Sequence, residues 1–344
     1  MTYADVRGSL MTVSRPKTLL AMAPHIADRL ITGPVRERLV AIADVDPGLV
    51  AADFADPAVA GALAEAEVLY TSWWCPPITA EVLAAAPRLR AVVHAAGSVK
   101  HHITEACWER GLLVSSAAVA NAEPVAEYTL AAILFAGKRV VDIARLYREH
   151  PGTRLDLDAM FPGFGNYRRT VGIIGASKIG RRVIELLRPF ELEVLVADPY
   201  LTDDLGVQKV ELDELFERSD IVSVHAPALP ETRHLVSAAR LALMRDGATL
   251  INTARGALVD QDALIAELAS GRLYAVLDVT EPDVLPAGSP LYDLPNVLLT
   301  PHIAGSLGGE LARLADLAVD ELARYAQGLP FAHGVAAEEL ATLA

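Results

Sequence analysis

Short apolar runs alternate with alanine-rich helical patterns over the first 120 residues. A run of consecutive apolar residues indicates a strand whose two faces are both buried. The runs are TLLAM (18–22), RLVAIADV (38–45), EVLYTS (67–72), LRAVVHAA (89–96) and LLVSSA (112–117). Helical spacing lies between them, in PAVAGALAEA (57–66), ITAEVLAAAP (78–87) and HITEACWERG (102–111). This alternation predicts a mostly parallel sheet with helices on both faces.

A long helical pattern follows from Asn121 to His150 and predicts one helix that joins two domains. Asn121 is a candidate cap, and Pro124 is predicted in the first turn, where its missing amide donor costs little. The apolar face of this helix also suits contact with a second subunit. Residues 151–168, rich in glycine, proline and aromatic residues, predict a surface loop.

A second alternating array begins after this loop. Its six apolar runs predict six strands, the number found in two mononucleotide-binding halves. They are TVGIIG (170–175), EVLVAD (193–198), IVSVHA (221–226), ATLINT (248–253), LYAVLD (273–278) and NVLLT (296–300). A last helical pattern at 308–328 suits either the outer face of this domain or a return to the first domain.

Length, charge and cysteine content exclude several classes of function. At about 150 residues per domain, the 344 residues predict a chain of two domains. A net charge of -14 without a basic run argues against nucleic acid or an anionic membrane as a partner. Two cysteines are too few for a disulfide framework or a thiolate metal site, which favours the cytoplasm. The first residues lack the apolar core of a signal peptide, and residues 1 to about 15 predict a loose tail.

The sequence VGIIGASKIG (171–180) predicts a strand, a glycine turn and the start of a helix. Gly175 and Gly180 occupy the first and third glycine positions of the dinucleotide-binding pattern, and Ser177 replaces the middle glycine. Alone, this turn is equally compatible with an ordinary strand–helix connection. Asp198 ends the next strand, where a carboxylate accepts hydrogen bonds from both ribose hydroxyls and repels a 2′-phosphate. Because no arginine directly follows Asp198, the sequence favours NAD over NADP.

Ionisable side chains follow three of the predicted strands in the second array. Arg255 follows ATLINT, Glu281 and Asp283 follow LYAVLD, and His302 follows NVLLT. Ligands of doubly wound sheets bind at the carboxyl ends of strands. A histidine exchanges a proton with an alcohol or ketone near neutral pH, and an adjacent carboxylate fixes its tautomer. Arginine binds a substrate carboxylate through two parallel hydrogen bonds. Alone, a histidine after a strand is more often a plain loop residue, but the combination favours a hydride-transfer enzyme.

These motifs resemble those of the D-isomer-specific 2-hydroxyacid dehydrogenases. The family pattern N-x-x-R-G-x-L-V-D, L-D-V with an acidic E-P element, and N-V-x-x-T-P-H-I-A-G is matched in order by NTARGALVD, LDVTEPD and NVLLTPHIAG. The likeness continues back through VHAPALPET, TVGIIGASKIG, NAEPVAEYTL and AAGS to about residue 17. It implies an NAD-dependent oxidoreductase that transfers a hydride between NAD(H) and C2 of a small 2-hydroxy or 2-oxo acid.

The resemblance also implies the roles of individual residues. Arg255 would bind substrate and His302 would act as acid and base. The family often has D-P-E-P here, whereas this chain exchanges the two acids. The partner of His302 is Asp283 if residues are counted from Asp278, and Glu281 if the E-P dipeptide is matched. Backbone amides of Gly97, Ser98 and Val99 would bind the substrate carboxylate, and no metal is expected. The implied cofactor contacts are Gly175, Ala176, Ser177, Lys178, Ile179, Asp198, Pro199, His225, Ala226, Pro227, Thr232, Thr253, Ala254, Asp278 and Gly305.

For the fold, the resemblance implies two doubly wound α/β domains. Residues 1–120 plus 306–344 would form a discontinuous, flavodoxin-like substrate domain, and residues 121–305 a Rossmann NAD-binding domain. A homodimer is also expected. Two alternatives stay open: an NADH-sensing binding protein of the corepressor type, and a phosphoglycerate-type dehydrogenase. The second is less favoured, because no regulatory domain or extra basic cluster is visible.

Overall fold

The computed structural model describes residues 15–340, so the predicted tail at residues 1 to about 15 falls outside the described residues. The strands are β1 (Thr18–Ala21), β2 (Val50–Ala51), β3 (Val68–Thr71), β4 (Ala91–His94), β5 (Leu113–Ser116), β6 (Thr170–Ile174), β7 (Glu193–Ala197), β8 (Gln208–Lys209), β9 (Ile221–Val224), β10 (Thr249–Asn252), β11 (Tyr274–Leu277) and β12 (Val297–Leu299). The helices are α1 (Pro24–Leu30), α2 (Gly33–Ile42), α3 (Pro57–Glu65), α4 (Ala80–Ala85), α5 (Glu105–Glu109), α6 (Ala118–Gly137), α7 (Val140–Glu149), α8 (Leu157–Met160), α9 (Lys178–Leu187), α10 (Leu212–Arg218), α11 (Ala238–Leu243), α12 (Gln261–Ala269), α13 (Leu311–Ala326) and α14 (Ala337–Leu340). Among the described residues, the chain divides into two compact units. The first contains the residues up to Asn121 and those from Leu307 onward, and the second runs from Ala122 to Ser306.

The first unit is built on a five-stranded parallel sheet with the order β2-β1-β3-β4-β5. This is the flavodoxin-type order of a doubly wound fold, as predicted. Strands β1, β3 and β4 are buried at every position, as expected for a sheet that is covered on both faces. Helix α13 packs in this unit against α2, and its apolar face shares a core cluster with Leu20 and Tyr70.

One strand prediction in the first unit is wrong, because residues 38–42 of RLVAIADV form the second half of α2. A short apolar run does not distinguish a buried strand from a buried helix face. Here Pro34 starts the helix and Val35 and Leu39 form its buried face, one turn apart. The edge strand beside β1 is instead β2, which has only two residues.

The second unit is built on a seven-stranded parallel sheet with the order β12-β11-β10-β9-β6-β7-β8. With β6 counted as the first strand of the unit, the order is 3-2-1-4-5-6-7, which is the Rossmann order 3-2-1-4-5-6 with one further strand. The predicted fold class is confirmed. All six predicted strands are present. The seventh, β8, lies at the sheet edge with both of its residues exposed, so it has no apolar pattern.

The single helix predicted over residues 121–150 is in fact two helices. Arg139, which separates α6 from α7, has a left-handed φ of 53°. The end of α6 is held by a later loop, since the amide of Gly165 donates to the carbonyl oxygen of Gly137 at 2.6 Å. A Cβ added at Gly137 would lie 2.0 Å from Oδ1 of Asn166. Helical periodicity cannot reveal this tertiary contact.

The start of this helix was also wrong. Helix α6 begins at Ala118, so Asn121 lies inside the helix rather than at its cap, and Pro124 lies beyond its first turn. The predicted loop at 151–168 contains only the short helix α8. No helix of the described part of the chain is long and apolar enough to cross a bilayer.

Candidate active site

Six adjacent strands of the second unit bring the predicted site residues to one edge of the sheet. The strands are parallel and in register, with Ile174 opposite both Ala197 and Val224, and Asn252 opposite both Val224 and Leu277. The residues that directly follow these strands therefore share the carboxyl edge. They are Gly175, Asp198, His225, Thr253, Asp278 and Thr300.

The turn after β6 requires glycine at two positions. Gly175 has a φ of 92°, and a Cβ added there would lie 2.7 Å from the amide nitrogen of Ala226. At Gly180 an added Cβ would lie 2.0 Å from the carbonyl oxygen of Gly175. The strand, the helix and the neighbouring loop therefore meet with no room for a side chain, as the dinucleotide pattern demands.

Ser177 occupies the middle position without strain. Its φ of -73° and ψ of -168° are extended values, and its Oγ donates to the carbonyl oxygen of His225 at 3.2 Å. The hydroxyl does not cap α9, and no other side chain of the described residues does so. The first amides of this helix, which begins at Lys178, are therefore available to a pyrophosphate.

Asp198 links the glycine turn to the end of β7. Its Oδ2 accepts from the amide of Ala176 at 2.7 Å, and its Oδ1 accepts from the amide of Tyr200 at 2.8 Å. A carboxylate offers about four acceptor positions, so two remain for ribose hydroxyls. The glycine turn, the helix start and Asp198 together fit an adenosine ribose and its pyrophosphate.

The loop after β9 is held mainly from within. The ring of His225 is buried, and its Nε2 lies 2.9 Å from Oγ of Ser223. Burial lowers the pKa of His225 to about 3, so the ring is neutral. Thr232 closes the loop by donating to the carbonyl oxygen of Pro227 at 2.6 Å. Because the His225 ring points inward, any adenosine contact at residues 225–227 must involve backbone atoms or Pro227.

The loop after β10 is buried against α6. Oγ1 of Thr253 lies 3.1 Å from Oγ1 of Thr129, which donates to the carbonyl oxygen of Val125 at 2.7 Å. The amide of Ala254 donates to Oδ1 of Asn252 at 3.0 Å. Thr253 and Ala254 are therefore fixed at the sheet edge, where they were predicted to meet the cofactor.

Asp278 organises the loop that carries His302. Its Oδ1 accepts from the Thr300 hydroxyl at 2.7 Å and from the Ile303 amide at 2.8 Å, and its Oδ2 accepts from the Ala304 amide at 2.8 Å. Its backbone carbonyl also accepts from the His302 amide at 2.9 Å. One acceptor position of Oδ2 stays open for a donor such as an amide. Asp278 is almost fully buried, so its first role is to hold this loop.

His302 is exposed and has a φ of 56°, in the left-handed region that few residues other than glycine adopt. Such backbone strain persists where the surrounding structure enforces it, and it is concentrated at functional sites. Here the bonds from Asp278 enforce it. Within the described residues, no side chain forms a hydrogen bond with the imidazole. The ring is thus placed at the sheet edge but is not held by either candidate acid.

Arg255 is half-buried at the end of an extended segment, where Nη1 donates to the carbonyl oxygen of Ala254 at 2.7 Å. Burial lowers the pKa of Arg255, and the negative charge of Asp283 opposes that shift. Asp283 is exposed, and it lies close enough to Arg255 for its negative charge to affect the pKa of the guanidinium.

Glu281 has a different partner. Its two carboxylate oxygens accept from Nη1 and Nη2 of Arg233 at 2.8 and 3.0 Å. The guanidinium of Arg233 holds the pKa of Glu281 below its ordinary value. Gln261 fixes the backbone of this residue from both sides, because it donates to the carbonyl oxygen at 2.8 Å and accepts from the amide at 3.1 Å. To approach His302, Glu281 would have to leave this ion pair.

In the first unit, β4 ends in the loop that contains Gly97, Ser98 and Val99. A Cβ added at Gly97 would make only ordinary contact, 3.4 Å from Nδ2 of Asn121, so packing does not require glycine there. Oγ of Ser116 donates to the carbonyl oxygen of Ala96 at 3.3 Å and anchors the loop. Carboxylate binding by residues 97–99 stays a prediction.

A buried polar cluster lies at the same sheet edge as this loop. Oγ1 of Thr71 is 2.9 Å from Nδ1 of His94 and 3.3 Å from Nε2 of His102, and the two imidazole centroids are 4.5 Å apart. Burial lowers the pKa of His94 well below its ordinary value and that of His102 to about 4. Both rings are therefore neutral near pH 7, so they add no positive charge to the loop.

Two residues of the second unit that shape the site were not predicted from the sequence. The hydroxyl of Tyr128 is 2.8 Å from Oγ1 of Thr300, which extends the Asp278 network into α6. Arg181 in α9 donates from Nε to the carbonyl oxygen of Ala176 at 2.8 Å, beside Asp198. Tyr128 lies in the NAEPVAEYTL motif, which marked the family but was assigned no site residue. Arg181 directly follows Gly180, and only the structure shows its direction.

Comparisons with known proteins agree with this geometry. Residues 130–304 match the family described as D-isomer specific 2-hydroxyacid dehydrogenase, NAD binding domain. A D-3-phosphoglycerate dehydrogenase of Mycobacterium bovis is 33% identical over 298 residues, which cover 85% of this chain and 51% of that protein. The chain therefore spans about half the length of this curated relative.

Two further proteins are similar over a larger share of their own length. A glyoxylate reductase of Korarchaeum cryptofilum is 35% identical over 257 residues, which cover 73% of this chain and 77% of that protein. The structure of a D-lactate dehydrogenase from Aquifex aeolicus, complexed with NAD and lactic acid, is 27% identical with a TM-score of 0.71 and covers 93% of this chain and 100% of that chain.

Proposed function

We propose that this chain, which belongs to the family of D-isomer specific 2-hydroxyacid dehydrogenases, interconverts a small D-2-hydroxy acid and its 2-oxo acid with NAD(H) as cofactor. Residues 130–304 form the NAD-binding domain of that family. The observation that carries the proposal is the shared sheet edge. There a dinucleotide turn that excludes side chains lies in line with Arg255, Asp278 and the strained His302.

Each residue of the site would have its own role in the reaction. The bound cofactor supplies or accepts the hydride at C2 of the acid. His302 gives a proton to the ketone oxygen during reduction and takes it from the hydroxyl during oxidation. Arg255 binds the carboxylate and polarises the neighbouring carbonyl, and it keeps its charge because arginine stays protonated despite burial. For the first unit, we propose that the backbone amides of residues 97–99 bind a substrate carboxylate.

We propose Asp283 rather than Glu281 as the partner of imidazolium at His302. Glu281 is already neutralised by two hydrogen bonds from Arg233. Asp283 is exposed, and in the described part of the chain its carboxylate accepts no hydrogen bond. A movement of its loop would bring this carboxylate to the histidine, where it would stabilise the imidazolium.

The substrate and the assembly are also part of the proposal. Glyoxylate reductase and D-3-phosphoglycerate dehydrogenase are the names of matched relatives, so glyoxylate, pyruvate and 3-phosphohydroxypyruvate are the first acids to test. We further propose a cytoplasmic homodimer. Cys75 and Cys107 are free thiols, as in a reducing compartment. An apolar groove lined by Tyr128, Phe135 and Tyr274 offers a surface to a second copy, which sedimentation would test.

The test is purified protein with NADH and this panel of 2-oxo acids, monitored by loss of NADH absorbance. The proposal expects turnover with at least one acid and, where the 2-hydroxy acid is chiral, formation of its D-isomer; glycolate, the product from glyoxylate, is achiral. NADH binding without turnover of any acid would reject it in favour of a protein that only senses the cofactor.

A further inference from the structure

Arg181 brings a positive charge to the predicted ribose position from a direction that the sequence did not suggest. The amide of Ala176 donates to Asp198 at 2.7 Å, and the carbonyl oxygen of Ala176 accepts from Nε of Arg181 at 2.8 Å. One residue of the turn thus holds the carboxylate and the guanidinium beside each other. Hydrogen bonding to Asp203 is the main cause of the raised pKa of Arg181, and the negative charge of Asp198 adds to this rise.

The terminal nitrogens of Arg181 are already engaged. Nη2 donates to Oδ1 of Asp203 at 2.7 Å and Nη1 donates to Oδ2 at 2.5 Å, so the two side chains form a bidentate ion pair. Both are partly exposed, with 41% of the Arg181 side chain and 54% of the Asp203 side chain accessible. The guanidinium holds the pKa of Asp203 at about 2. Asp203 is therefore charged over the whole working range of an enzyme.

We propose that Asp203 sets the cofactor preference by occupying Arg181, which would otherwise bind the 2′-phosphate of NADP. This inference rests on the proposed function, since it concerns the cofactor of that same site. The local charge is negative because two carboxylates, Asp198 and Asp203, face one guanidinium. A 2′-phosphate would meet this net negative charge and an arginine that already uses three of its five N–H donors, on Ala176 and Asp203. Preference for NAD thus rests on both carboxylates and not on Asp198 alone.

Releasing Arg181 should change this preference. A free guanidinium is suited to phosphate, because its planar donors match two phosphate oxygens. In the variant Asp203→Asn the competing charge is gone while the side-chain shape is kept. Asp204→Asn is the matched control. It removes one negative charge from the same loop, but Asp204 accepts from the amide of Gly206 at 2.7 Å and does not engage Arg181.

The experiment is fluorescence titration of the full chain with NADH and with NADPH, at two ionic strengths. Asp203→Asn should lower the Kd for NADPH about tenfold, the effect of one charge-assisted hydrogen bond, and leave the Kd for NADH within about twofold. Asp204→Asn should change either Kd by less than about twofold, because exposed charges are screened. Adding Arg181→Met to Asp203→Asn should remove the gain in the ratio of the two affinities.

The readout is the ratio of the Kd for NADPH to the Kd for NADH. A substitution that loosens the turn weakens binding of both cofactors and leaves this ratio unchanged. Equal gains in the Asp203 and Asp204 variants, or a gain that survives Arg181→Met, would overturn the inference while the proposed function stands. A wild-type chain that binds neither nucleotide would instead defeat the proposed function and this inference with it.

Discussion

Replacing Asp278 by asparagine tests whether this buried carboxylate holds the loop of His302. Asparagine keeps the shape and can keep its oxygen at the Oδ1 position, where the Thr300 hydroxyl and the Ile303 amide donate. Its NH₂ group would then face the Ala304 amide, which now donates to Oδ2 at 2.8 Å. Two N–H donors, one from the asparagine and one from the Ala304 backbone, would then face each other at a residue that is only 2% exposed.

The cost follows from these contacts. One charge-assisted hydrogen bond is lost, and a buried amide is left without an acceptor, which together cost about 3 kcal/mol in the free energy of unfolding. At about 3 °C per kcal/mol for a domain of this size, the melting temperature should fall by roughly 10 °C. NADH oxidation should fall as well, because the backbone that strains His302 is no longer fixed.

Differential scanning calorimetry would measure the loss of stability. Asp293→Asn is the matched control, since Asp293 is an exposed acid of the same connection between β11 and β12 and should change stability by less than about 0.5 kcal/mol. If Asp278→Asn melted at the same temperature as Asp293→Asn, the three hydrogen bonds would not be what holds the loop.

Three further predictions use the same reasoning. Gly180→Ala should abolish NADH binding and lower the melting temperature, since the added Cβ would lie 2.0 Å from a backbone oxygen. The control Gly61→Ala lies in open space on α3 and should raise stability by about 0.5–1 kcal/mol. Equal effects of the two variants on the melting temperature in calorimetry would contradict this prediction. Stability should also fall by roughly 3 kcal/mol between about pH 6 and 5, because three neutral histidines have folded-state pKa values below the unfolded value near 6.5, so the unfolded state binds more protons as pH falls. These are His94, His102 and His225. Urea unfolding that is independent of pH in this window would refute it. Finally, Asp283→Asn should lower the pKa of the catalytic group in the pH-rate profile and Glu281→Gln should not; the reverse would make Glu281 the partner.

The strands of both sheets could be predicted where burial on two faces produces continuous apolar runs. Strand β8 could not, because its two exposed residues at the sheet edge leave no such run. Strand β2 was not predicted either, although its two residues lie in the apolar stretch LVAA (49–52). Helix α2 could not be distinguished from a strand, because a short apolar stretch is compatible with a buried helix face as well. The break at Arg139 depends on a loop some 25 residues further along the chain, so local pattern carries no sign of it.

The positions of the site residues were predictable where a motif and a strand end coincide, as for Arg255 and His302. They were not predictable where side-chain direction decides. The residues directly after Asp198 contain no arginine, whereas Arg181 reaches this position from α9. The choice between Glu281 and Asp283 also depended on Arg233, which is distant in sequence and lies beside Glu281 only in the folded chain.

The central claim is that His302 is the acid and base of a hydride-transfer reaction. Its most direct test is single-turnover NADH oxidation by wild type and His302→Gln with the best 2-oxo acid, beside NADH titration of both proteins. We expect the rate to be at least about 10²-fold lower in the variant, the usual contribution of a general acid, with NADH affinity within about twofold of wild type. A variant that keeps the wild-type rate would contradict it.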